Sequence, residues 1–83
     1  MNCFIQLKDD KLLEIRELTE IKYSYLHAEK VTSITEDNLD RLKIYDDANY
    51  IFVGKTTVVV RGSDILFLQF MSWHNYDITD HKN

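Results

Sequence analysis

The chain has 83 residues, ten Lys and Arg against fourteen Asp and Glu, 45% apolar residues, two glycines, one cysteine and no proline. A chain this short removes about 60–65% of its unfolded surface from water, enough for a single core, so two-domain readings are excluded, as are a disordered chain and a membrane span of about 20 apolar residues. The net charge of −4 argues against a wide basic footprint on nucleic acid, where phosphate neutralisation by Lys and Arg supplies most of the affinity.

Met1 to Leu7 shows no basic segment followed by a long apolar stretch, so no export signal is expected and the protein is placed in the cytoplasm. The lone Cys3 fits a reducing compartment, offers no zinc framework, and reads as a small buried hydrophobe. Cys3, Ile5 and Leu7 alternate, as do Leu13 and Ile15, with Asp9-Asp10-Lys11 between them. That pattern predicts a hairpin pairing Leu7 with Leu13 and Ile5 with Ile15, with Lys11 the residue that would need positive φ. Glu20 to His27 alternates as Ile21, Tyr23 and Tyr25 and is read as a strand, although Ile15, Leu18, Ile21, Tyr25 and Ala28 also trace a helical face.

Thr35 followed by Glu36-Asp37-Asn38 is a helix start, since the threonine oxygen accepts free amides and acids favour the positive helix end. Leu39, Leu42 and Ile44 supply its inward face, predicting one short helix over about 36–44. Three β-rich runs then follow: Asn49 to Val53, Thr56 to Arg61 and Asp64 to Met71. Gly54-Lys55 and Gly62-Ser63 separate them. Glycine at the first central position is the signature of a type II′ turn with positive φ, so a three-stranded meander is predicted. In that register Ile51, Val53, Thr56, Val58, Val60, Ile65 and Phe67 share one face, and Tyr50, Phe52, Thr57, Val59, Leu66, Leu68 and Phe70 the other. Both faces are apolar, so each needs cover, and a homodimer is expected on whichever side the rest of the chain leaves bare.

These elements predict an α+β fold: a small antiparallel, strongly curved sheet or barrel of five to six strands with one short helix. It forms a single domain over 1–74, followed by a polar tail over 75–83. The abundance of Ile, Lys, Tyr, Asn and Phe reflects A+T-rich coding DNA, as in a low-GC bacterium or its phages and mobile elements.

No motif carries a specific chemistry. Gly54-Lys55-Thr56 matches the end of a phosphate-binding loop, but Asn49 stands where the first glycine belongs and a strand-forming run follows where a helix is required. Cys3, His27 and the carboxylates include the residue types of a nucleophile and base without any local signature, so no enzymatic activity and no cofactor are expected. His74, Asp77 and His81 would share a side of a helical tail, yet a fortuitous polar terminus explains them better than a metal site.

Two binding readings remain. Glu36, Asp37, Asp40, Asp46 and Asp47 face only Arg41 and Lys43, which suggests an acidic surface for a basic protein partner. The plainer alternative is a solvated helix and loop. Tyr23 and Tyr25, neighbours on one strand face, with Lys22 or Lys55 nearby, would suit stacking of single-stranded nucleic acid, against a plainer role in packing. The first reading, a non-enzymatic protein-interaction module such as an accessory or inhibitory factor, is the expectation; a β-sheet nucleic-acid binder is the alternative.

Overall fold

The computed structural model describes residues 1–25 and 27–71. The tail over 75–83 and the His74, Asp77 and His81 set lie outside the described residues. Seven strands alternate along the chain: β1 (Asn2–Leu7), β2 (Leu12–Ile15), β3 (Glu20–Tyr25), β4 (Thr32–Ile34), β5 (Ala48–Val53), β6 (Thr57–Arg61) and β7 (Ile65–Met71). They form two antiparallel sheets, ordered β2-β1-β7 and β4-β3-β5-β6. The fold is β-rich and is not a closed barrel, which corrects the barrel reading; its seven strands exceed the five to six expected because Thr32–Ile34 is too short and polar to announce itself.

The two sheets share one core. Cys3, Ile5 and Ile15 come from the first sheet and Ile21, Ile34, Ala48, Tyr50 and Phe52 from the second, joined by Ile65. Residues 20–25 are a strand because the ladder sets Ile21 against Phe52 and Tyr23 against Tyr50, a period-2 match that a helical face would not allow.

The first hairpin keeps the expected inward face in a register shifted by two residues. Ile5 pairs with Leu13 and Cys3 with Ile15, so Leu7 faces Lys11, whose carbonyl accepts the Leu7 N–H at 2.8 Å. The loop is Lys8-Asp9-Asp10, and the left-handed position falls to Asp10 at φ 74° instead of Lys11. A short carboxylate side chain tolerates that region better than lysine does.

The predicted meander is broken in two. β5 and β6 form a hairpin, but β7 leaves it and pairs with β1 in the other sheet. Neither glycine has positive φ, so the type II′ reading is corrected at both turns. Both instead serve close approach of backbone. A Cβ on Gly54 would lie 2.6 Å from the Arg16 carbonyl oxygen and 2.6 Å from Ile15 Cγ2. A Cβ on Gly62 would collide with the Tyr45 carbonyl. Gly54 sits where the β5–β6 loop locks onto the corner between β2 and β3, with the Lys55 N–H donating to the Arg16 carbonyl at 2.9 Å. Gly62 opens the 3-10 turn Gly62–Asp64 that carries the chain from one sheet to the other.

The β5–β6 loop holds three residues, pairing Val53 with Thr57. This one-residue change exchanges the faces of β6 relative to β5: Tyr50, Phe52, Val58 and Val60 point to the core, while Asn49, Ile51, Val53, Thr57, Val59 and Arg61 point outward. Val59 is 65% exposed, and the outer row continues onto Glu20, Lys22 and Ser24 of β3. The second sheet therefore has one core face and one mixed, wet face, as antiparallel sheets commonly do, and the premise of a two-sided apolar ribbon falls with it.

The helix expected over 36–44 is a six-residue 3-10 helix, Glu36–Arg41. The Thr35 N–H donates to Asn38 Oδ1 at 2.7 Å, as a capping box requires, but Asn38 itself is non-helical at φ −128° and ψ 32°, and Leu42 is already extended. Leu39 and Leu42 are only partly buried against the core, too little apolar area to prolong a helix this short.

Cys3 is fully buried, and burial pushes its thiol up to about 12 from 9.0. The unfolded chain therefore releases this proton first. The stabilisation is complete below pH 9 and is lost as pH rises towards 12, at roughly 1 kcal/mol per pH unit. Burial also raises the Tyr50 phenol, in the same direction at higher pH. Urea unfolding is expected to give a lower midpoint at pH 10 than at pH 8, with a smaller drop for Cys3→Val. A chromogenic disulfide reagent is expected to label Cys3 only as the chain unfolds.

Candidate protein-interaction surface

The five acids are all exposed, and the ion pairs among the described residues join other groups: Glu14 with Arg16, Glu20 with Lys22 and Glu17 with Lys55. The structure divides the acids into two groups. The helix bearing Glu36, Asp37 and Asp40 begins just after Ile34, which pairs with Ile21, whereas Asp46 and Asp47 precede Ala48, which pairs with Tyr25. Those anchor points are four residue steps apart along β3, about 13 Å of strand.

A buried tyrosine fixes the segment bearing Asp46 and Asp47. Tyr50 is fully buried, and its hydroxyl donates to the Lys43 carbonyl and accepts the Tyr45 N–H, both at 2.7 Å. One side chain thus satisfies two backbone groups of a loop that has no ladder of its own. On the sheet, Tyr23 stacks on Tyr50 with ring centroids 5.2 Å apart and planes at 24°. Beyond it Tyr25 meets Tyr45 at 5.4 Å and 54°.

This tyrosine group ends at an open cleft of about 510 Å³ lined by Tyr25, His27, Ala28 and Asp47. Tyr25 is 41% exposed there. Desolvation, then the Tyr45 hydroxyl beside it, raises its phenol above the ordinary value, with Asp47 adding in the same sense. Aromatic faces next to an exposed carboxylate favour a cation, through both the ring quadrupole and direct charge.

The residues singled out for nucleic acid are not gathered in one place. Tyr23 and Tyr25 lie on the core side of β3, Lys22 on the opposite side facing Ile51 and Ser33. Lys55 sits in the β5–β6 loop, beside Glu17 at 4.0 Å. The stacking rings and the cations that would hold a phosphate backbone are therefore on different faces. Gly54-Lys55-Thr56 leads into β6, not into a helix. Among the described residues no group of three or more His, Cys, Asp and Glu is placed to hold a metal ion, and no helix is long and apolar enough to cross a membrane.

Sequence reasoning identified Asp47 and Tyr25 separately but missed the cleft that joins them, together with the parts played by Tyr45 and His27. The place of Tyr50 near the start of β5 carried a signal, since a tyrosine entering a strand can tie its hydroxyl back to the backbone a few residues upstream. No protein family, no curated protein and no solved structure matches the chain.

Proposed function

We propose that the chain is a non-enzymatic protein-interaction module that receives a Lys or Arg side chain of a basic partner in the cleft between Tyr25, His27 and Asp47. The observation that carries this reading is the cleft's composition: the Tyr25 ring, backed by Tyr45, beside His27 and the exposed Asp47 carboxylate, with the exposed Asp46 next in the chain and no cation paired to either acid among the described residues. Glu36, Asp37 and Asp40, on the separate stretch, add long-range attraction that speeds encounter more than it holds the complex. Over residues 36–47 five carboxylates stand against Arg41 and Lys43, so the field there is negative and screened by salt beyond about 10 Å at 0.1 M.

The test is fluorescence anisotropy with a labelled octapeptide of alternating Arg and Gly, and an octapeptide of Glu and Gly as control. The basic peptide is expected to bind and the acidic one not, with binding weakened as salt rises. Reversing Asp46 and Asp47 to Lys is expected to weaken it about tenfold or more, as for charge pairs at an interface. Equal binding of both peptides, or an unchanged affinity in the reversed variant, removes this surface from the function.

A further inference from the structure

The four sheet edges are not alike. β2 is four residues long and carries Glu14, β4 is three residues long, and β6 ends in Arg61. Short length and edge charge are the usual devices that keep one sheet from adding to another. β7, Ile65–Met71, has neither: it is seven residues without a charge, a glycine or a proline, and its bulge, at Leu66 between the Phe67–Gln6 and Ile65–Leu7 pairs, leaves the 67–71 stretch regular. One side pairs with β1, and no strand among the described residues pairs with the other. Leu66 is 59% exposed, Phe67 50% and Met71 47%.

We propose that β7 is the seam of a homodimer, pairing antiparallel with β7 of a second copy about a two-fold axis at Gln69. The choice of a second copy follows from self-complementarity. Antiparallel partners share a face, so an axis at Gln69 sets Phe67 opposite the second copy's Met71 on the outer face, Leu68 opposite Phe70 on the core side, and the two Gln69 amides opposite each other. Over 67–71 apolar meets apolar at every position but the axis, where two amides can exchange hydrogen bonds. A chain with net charge −4 repels its own copy, and this uncharged strip is where such a meeting is least opposed. The two three-stranded sheets would join into one of six strands. A seam of two strands buries less than the roughly 1,200 Å² of a stable standard interface, so the expected dissociation constant is micromolar. The proposal does not depend on the reading of the tyrosine cleft, which lies on the other sheet.

Sedimentation equilibrium of the full chain from about 1 to 500 µM, a range that brackets micromolar association, tests it. The mass is expected to rise from one chain to two and stop there. Gln69→Lys, which sets two ammonium groups face to face at the axis, is expected to weaken association about tenfold or more, as is Phe67→Lys. Adding Met71→Glu to Phe67→Lys is expected to restore it, because opposite charges then meet across the seam. Within one copy, positions 67 and 71 stand opposite the uncharged Gln6 and Asn2 in the ladder with β1. Melting curves of the variants at a concentration where all are monomeric separate lost association from lost folding. A wild type that stays monomeric throughout the range, a dimer indifferent to both lysine substitutions, or a double variant no better than Phe67→Lys overturns the proposal.

Discussion

Replacing Gly62 by alanine is expected to cost about 3 kcal/mol or more, among the largest effects of a single methyl group anywhere in the chain. The added carbon would meet the Tyr45 carbonyl oxygen at clashing distance, the carbonyl carbon at 2.8 Å and Tyr50 Cε1 at 3.0 Å. None of these is the free end of a flexible side chain. The Tyr45 carbonyl also accepts the Ala48 N–H at 3.2 Å, so moving it disturbs the turn that delivers β5 to its sheet. In a domain of this size the melting temperature should fall by more than about 10 °C. A variant melting within about 3 °C of the parent, less than 1 kcal/mol on the same scale, would show that the 62–64 turn can draw away from residue 45.

Tyr50→Phe is expected to cost about 1–3 kcal/mol although it removes one oxygen atom. The ring would still fill its place in the core and stack on Tyr23, but the Tyr45 N–H and the Lys43 carbonyl would each lose a partner 2.7 Å away. Leaving a partly buried donor and acceptor unmatched is what makes such a deletion costly, more than the value of the bonds themselves. Urea unfolding checks the prediction: the midpoint should fall with the slope unchanged, because the surface exposed on unfolding is nearly the same. Tyr50→Phe combined with Gly62→Ala should cost less than the sum of the two, since both act through Tyr45. Binding of the basic peptide should weaken as well, because this hydroxyl positions the segment bearing Asp46 and Asp47.

Much of the strand content was legible in the sequence, because alternation such as Cys3, Ile5, Leu7 or Ile21, Tyr23, Tyr25 is a local signal that burial enforces. The partners of those strands were less so. β7 follows β6 after a short glycine turn, and adjacency in sequence argues for a hairpin, yet its apolar alternation fits equally well beside β1, sixty residues away, where Cys3 and Ile5 supply a buried row. The two glycines mislead for a related reason. A missing Cβ serves positive φ and tight backbone contact alike, and only the position of Arg16 and Tyr45 in space separates the two. At the candidate site the residue types were visible but not their grouping, because the acids at 36–40 and 46–47 are contiguous in sequence while the sheet holds their segments apart. The loss of the two-sided ribbon also moves the expected dimer contact from a sheet face to a sheet edge.

The pairing of β1 with β7, Asn2 against Met71, bears on how the protein is made. The middle strand of the first sheet leaves the ribosome about sixty residues ahead of β7 and must wait for it before its second neighbour exists. Until then Cys3 and Ile5 are shielded on one flank alone, so the nascent chain passes through a stage with a sticky, unfinished ribbon. Such long-range closure is slow, in the millisecond-to-second range for β proteins, and a chaperone that holds the amino-terminal hairpin during synthesis should raise the yield of folded protein more than one added after release.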